Sequence, residues 1–166
     1  MFQHILLPTD GSQLSRDTAQ RAVNFAKAAN ARITALYAKS VGSTENYGDL
    51  IEPNVLERLT AGSEGKSKDY LGFIKKLCKD AGVDCNLVSV VSETPWEAIV
   101  DAADDHDCDL IFMSKHGRGG LSSLLLGSET YRVLTHSSIP VLVYRPPEID
   151  AKRRKAKARE KEKKKG

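Results

Sequence analysis

The chain alternates short apolar runs with longer stretches whose apolar residues recur every three or four positions, and that alternation restricts it to the α/β class. Ile5-Leu6-Leu7-Pro8 is short, continuous and apolar, as a strand covered on both faces of a parallel sheet requires. Thr9-Asp10-Gly11-Ser12 stops it. From Ser12 to Asn30 the residues Leu14, Ala19, Ala22, Val23, Ala26 and Ala29 fall on one helical face. A second strand is predicted at Arg32–Ala38, then a loop over Ser40–Pro53 with two glycines and no apolar period. Residues 54–81 read as a long helix, best patterned at Tyr70, Leu71, Phe73, Ile74 and Leu77 and weakened by Gly62 and Gly65. Cys85–Val91 is the third strand. Ser92-Glu93-Thr94-Pro95 then supplies a cap-like hydroxyl and a first-turn proline ahead of Trp96, Ile99, Val100 and Ala103. Asp109–Met113 is the fourth strand, Thr130–His136 a short helix and Ile139–Tyr144 the fifth strand.

Strict alternation implies parallel strands joined by right-handed crossovers. The expected architecture is an open five-stranded parallel sheet with helices on both faces, a Rossmann-like three-layer sandwich. In such a sheet ligands sit beyond the carboxyl ends of the strands, where the strand order reverses. Two loops are expected to converge there, Thr9–Ser12 after the first strand and Ser114–Ser128 after the fourth.

Length and charge narrow the reading. A chain of 166 residues has room for one core of ordinary size, and 40% hydrophobic with 28% charged residues is a globular mixture that needs no staple. No apolar run approaches the roughly 20 residues of a membrane-spanning helix. Met1-Phe2-Gln3-His4 shows no basic leader, so a cytoplasmic protein is expected. Cys78, Cys85 and Cys108 are odd in number and scattered, which fits a reducing compartment and no zinc or dithiol motif. Residues 151–166 hold ten Lys/Arg and two Glu, a local charge of +8 in a chain whose formal net charge is +3, so the remainder sums to −5. We therefore expect a folded domain at 1–146 and a basic, disordered tail at 147–166. The tail is a candidate for salt-sensitive contact with nucleic acid or an anionic surface, or simply a solvated extension.

The glycine-rich segment is the strongest chemical signal. In Ser114-Lys115-His116-Gly117-Arg118-Gly119-Gly120, followed by Gly127-Ser128 at a helix start, glycines let main-chain N–H groups approach an anion, and the helix end favours phosphate. The alternative is that these glycines only turn the chain and Ser128 only caps a helix. Neither G-x-x-x-x-G-K-[ST] nor G-x-G-x-x-G is present, which disfavours familiar NTPases and dinucleotide dehydrogenases. Asp10 either touches a ligand or forms a local cap or Asx-turn. Lys115, His116 and Arg118 either neutralise phosphate or stand in solvent. His4, His106 and His136 are isolated, so no metal site from protein side chains is expected, and no nucleophile elbow is present.

Three segments taken together resemble the universal stress protein family: Pro8-Thr9-Asp10-Gly11-Ser12, Ser114-x-x-Gly117-x9-Gly127-Ser128, and Ile139-Pro140-Val141-Leu142-Val143. The resemblance runs from about residue 2 to 146. Nucleotide-binding members carry G-x-x-G-x9-G-[ST], and here Ser114 occupies the first glycine position. The resemblance implies an adenine nucleotide α-hydrolase-like fold that binds ATP or another adenine nucleotide. Asp10, with Pro8, Thr9, Ala38 and Met113, would surround the adenosine part. Ser114, Gly117, Gly127 and Ser128 would surround the phosphates, with Mg2+ or Mn2+ bridging phosphate oxygens. It further implies a homodimer through Val141, Leu142, Val143 and Tyr144 of the last strand. The function expected is a stress-response sensor acting on a regulatory protein partner. A slow ATPase, and a dimeric interaction module that Ser114 has deprived of ATP binding, are the alternatives; no clear carboxylate general base stands in the glycine loop.

Overall fold

In the computed structural model the alternating runs become β1 (His4–Pro8), α1 (Gln13–Ala29), β2 (Arg32–Lys39), α2 (Pro53–Ala81), β3 (Cys85–Val91), α3 (Pro95–Asp105), β4 (Leu110–Ser114), α4 (Ser128–His136) and β5 (Val141–Tyr144). The structure describes residues 1–39, 53–116 and 126–146, with backbone alone at 53–61 and 63. Most of the loop expected at 40–53, Gly117 and Arg118 of the glycine-rich segment, and the basic tail lie outside the described residues.

The five strands form one sheet in the order β3-β2-β1-β4-β5, and every neighbouring pair is parallel. The order turns back between β1 and β4. β1 lies at the centre because four of its five residues are buried, three of them apolar, each such apolar side chain contributing about 1.5–3 kcal/mol on burial. Successive residues face opposite layers. Ile5, Leu7, Ile33, Ala35, Leu110 and Phe112 pack against α1 and α2, whereas Leu6, Leu36, Ile111 and Met113 pack with Ile99, Ala103 and Val133 of α3 and α4. Helices thus cover both faces.

Local chemistry sets the element ends. Ser12 caps α1 by accepting the Ser15 N–H at 3.2 Å, and Asn30 ends the helix in the left-handed region at φ 53°, its N–H donating to the Ala26 and Lys27 carbonyls. The Thr94 side chain makes no cap bond to α3 and instead donates to Glu97 Oε2 at 2.7 Å. Several boundaries differ from expectation by a residue or two, and the contacts explain three of them. Asp109 stays out of β4 because its carboxylate accepts the Gln3 and His4 N–H groups at 2.8 and 2.9 Å. α4 begins at Ser128 rather than Thr130, with Gly127 as its cap residue. β5 begins at Val141 because the Ile139 N–H bonds Ser137 Oγ at 3.2 Å and Pro140 has no N–H to give a ladder.

Candidate functional site

Because β1 and β4 are neighbours, the chain leaves both on the same rim of the sheet. The register of Ile5 with Leu110 and Leu6 with Ile111, carried forward, sets Pro8 level with Met113. On the other side Pro8 pairs with Leu36, two residues before Ala38. Pro8, Ala38, Met113 and Ser114 therefore share one rim, at the point where such sheets hold ligands. Pro8, Ala38 and Ser114 are half-buried, whereas Met113 is buried among the side chains facing α3 and α4.

The loop after β1 is held by its own side chains. The Thr9 N–H donates to the Leu36 carbonyl at 2.8 Å, the Thr9 hydroxyl pairs with Ser15 Oγ at 2.7 Å, and it accepts the Gly11 N–H at 3.2 Å. Asp10 Oδ1 accepts the Ser12 N–H at 2.9 Å, an Asx-turn. The local role foreseen for Asp10 is thus present, and among the described residues its second oxygen has no donor. Gly11 lies at φ +74°, and a Cβ there would stand 2.3 Å from the Tyr70 ring. No other residue fits both demands. Tyr70 in turn meets Tyr37 edge to face at 5.2 Å, which fixes α2 against this loop.

After β4 the chain forms a neck. The Lys115 N–H donates to the Tyr144 carbonyl at 3.1 Å, and the Gly127 N–H donates to the Lys115 carbonyl at 2.9 Å. The two ends of the glycine-rich segment therefore touch. An added Cβ at Gly127 would lie 2.9 Å from His116 Cα, so the approach requires glycine. Thr130 Oγ1 donates to the Ser114 carbonyl at 3.1 Å, tying the first turn of α4 to the end of β4. The Ser114 hydroxyl donates to the His116 carbonyl at 3.1 Å. Ser114 has no positive φ, so its backbone does not demand the glycine of the family pattern.

Gly127 offers no side chain to cap α4, and the first intrahelical bond runs from the Tyr131 N–H to the Gly127 carbonyl at 2.8 Å. The N–H groups of Ser128, Glu129 and Thr130 precede it and have no partner within the helix. Such an end attracts anions. His116 is half-buried, and its Nδ1 is buried without a hydrogen-bond partner among the described residues.

One contact was not legible in the sequence. Glu129 Oε2 accepts the Trp96 N–H at 2.9 Å, so one carboxylate sits at the starts of both α3 and α4. The Trp96 ring packs on His136 at 4.5 Å. Only an acidic residue in the first turn hinted at it, and that signal normally concerns its own helix.

Comparison with known proteins agrees with this geometry. A model described as the universal stress protein family matches residues 1–145. Universal stress protein MJ0531 of Methanocaldococcus jannaschii is 32% identical over 147 residues, which span 89% of this chain and 84% of that protein. The solved structure of hypothetical protein MJ0577, from the same organism, superimposes with a TM-score of 0.71 at 29% identity, covering 88% of this chain and 97% of the other. A universal stress protein in complex with cAMP gives 0.65 at 29% identity, covering 87% and 97%. With its parallel sheet, the two loop starts on one rim and a family match over residues 1–145, the chain belongs to the universal stress protein family.

Proposed function

We propose that this chain binds an adenine nucleotide, ATP or AMP, at the β1/β4 rim and acts as a homodimeric stress-response regulator in the cytoplasm rather than as a catalyst. The observation that carries the reading is the Lys115–Gly127 neck, which joins the described ends of the glycine-rich segment at an uncapped helix start on the rim that also carries Asp10. The relative solved with cAMP supports the adenine class of ligand. Asp10, Pro8, Thr9, Ala38 and Met113 surround the adenosine part in this reading, and Ser114, Gly117, Gly127 and Ser128 the phosphates. Because the Gly127 N–H already serves the neck, the Ser128 and Glu129 N–H groups and the Ser128 hydroxyl are the donors assigned to phosphate. Gly127 contributes closeness of approach. Mg2+ or Mn2+ would be held by the nucleotide's own oxygens. Occupancy of the loop would then change the surface offered to a regulatory protein partner.

Calorimetric titration with ATP and with AMP tests this. Saturable binding is expected, weakened at least about tenfold, or about 1.4 kcal/mol, in Asp10→Ala. No heat with either nucleotide would remove the reading. The homodimer rests on β5, whose outer edge is unpaired in the sheet order and invites a second strand. Val141–Tyr144 of two chains would pair antiparallel about a two-fold axis. Sedimentation at micromolar concentration should give a dimer, and a monomer would reject it. Three free thiols fit the reducing cytoplasm.

A further inference from the structure

On the rim opposite the nucleotide loops, at the amino ends of the strands, a cleft of about 520 Å³ opens among polar residues that include His4, Arg32, Cys85, Asn86 and His106. Cys85, its one thiol, is half-buried at the first position of β3. Behind it lies Cys78, fully buried in the last two turns of α2. The chain reverses tightly between them. Gly82 ends the helix at φ +71°, the Val83 N–H donates back to the Cys78 carbonyl at 2.9 Å, and Cys85 enters the ladder opposite Ile33. Cys78 belongs to a buried cluster against which Cys85 packs, and the Cys85 thiol donates to the Asn86 carbonyl at 3.7 Å.

The two sulfurs are not equivalent. Cys85 lines the cleft whereas Cys78 is fully buried, and the neighbouring Cys78 thiol holds the Cys85 thiol below its ordinary value despite burial and the nearby Asp84, with the Lys75 ammonium adding to the lowering. Cys78 is pushed up by Cys85 and by its burial. A lowered, accessible thiol beside a second, resolving thiol is the arrangement that peroxide-sensing cysteines share. Cys108 lacks it: the residue is buried apart from the pair, and burial pushes its thiol up to about 11.

We propose that Cys85 and Cys78 are a peroxide-reactive pair that closes to an intrachain disulfide, a modification site separate from the nucleotide rim. The Cys85 thiolate attacks one oxygen of a hydroperoxide; the O–O bond breaks, an S–O bond forms, and water or an alcohol leaves once protonated. The Cys78 sulfur then attacks the sulfenic sulfur of Cys85, the S–O bond breaks, and a second water leaves with the Cys78 proton. Two thiols are oxidised and one peroxide is reduced. A disulfide of this kind in a reducing compartment is transient and signals rather than staples.

Hydrogen peroxide added to the intact, reduced protein tests the pair, followed by denaturation, alkylation with N-ethylmaleimide and mass analysis. Three alkylated cysteines before treatment should fall to one, on Cys108, with Cys78 and Cys85 recovered in a single cross-linked peptide that dithiothreitol separates. In Cys85→Ser no cross-link should form. In Cys78→Ala dimedone should trap a sulfenic acid at Cys85. Retention of all three labels, over-oxidation of Cys85 without a cross-link, oxidation of Cys108 at an equal rate, or a link only between chains would each overturn the proposal. The wild-type measurement decides even where a variant fails to fold.

Discussion

Replacing Gly127 with alanine opens the neck of the glycine-rich segment, and the cost is purely steric. Gly127 has φ −63° and ψ 150°, a region alanine occupies without strain. Its new Cβ would stand 2.9 Å from His116 Cα, 3.0 Å from His116 Cβ and 3.3 Å from the Lys115 oxygen, where carbon pairs are most stable at about 3.5–4.0 Å. Two of those atoms are main chain, so a rotamer change cannot relieve them. Overpacking of this kind costs about 1–3 kcal/mol. For a domain of this size each kcal/mol lowers Tm by roughly 2–4 °C. Thermal melts of Gly127→Ala should therefore show a clear loss. Gly72→Ala is the control: the site is exposed within α2, with nothing within 4 Å of an added Cβ, so it should gain about 0.5–1 kcal/mol. In calorimetry the same opening moves Ser128 away from Ser114 and Lys115. If the strain falls on the liganded state, ATP binds about 5–150-fold more weakly. A Gly127→Ala protein as stable as wild type would refute the close approach.

Three further outcomes follow from the contacts around the site. Ser114→Gly removes the hydroxyl bond to the His116 carbonyl and should cost about 1 kcal/mol in urea unfolding; it should leave ATP affinity unchanged, and a tenfold gain would contradict the hydroxyl's placement. Glu129→Gln replaces a charged acceptor of the Trp96 N–H with a neutral one and should cost about 1 kcal/mol, with a shift in the emission of Trp96, the single tryptophan; an unchanged spectrum and melt would deny that link between α3 and α4. Burial, with Arg32 adding, holds the His4 imidazole below its ordinary 6.5, so the unfolded chain takes up that proton at higher pH than the folded one. Stability from neutral His4 is present above about 6.5 and is lost as pH falls toward the folded value, with a slope of at most about 1.4 kcal/mol per pH unit. His4→Gln should flatten that slope, and an unchanged pH profile would contradict it.

The sheet was readable from sequence because a parallel strand and an amphipathic helix write different periods into the chain. Ile5–Pro8 and the face Ala19, Ala22, Val23 and Ala26 could hardly be anything else, and Ile5, Leu6, Leu7 and that helical face are buried as expected. That the loops after β1 and β4 start from neighbouring strand ends followed from topology alone. Side-chain roles within the loops did not. The Asx-turn at Asp10 and the cap at Ser12 use residue types that equally suit a ligand, so composition could not separate the two. Glycine at 127 reads as freedom of φ, yet its φ is ordinary and the requirement comes from His116 across the neck. Such a through-space demand leaves no local trace. Glu129 bonding Trp96, 33 residues earlier, is invisible for the same reason. Cys78 and Cys85 looked scattered because their seven-residue separation matches no metal or redox motif; the turn at Gly82 brings them together.

Amide chemical shifts of isotopically labelled protein, followed through an ATP titration, report residue by residue whether the β1/β4 rim holds an adenine nucleotide. Saturable changes are expected to concentrate at Thr9–Ser12 and at Ser114–His116 with Gly127–Glu129, with little at the opposite rim around His4 and Cys85. Saturable changes centred elsewhere, or a spectrum indifferent to ATP and AMP at millimolar concentration, would contradict it.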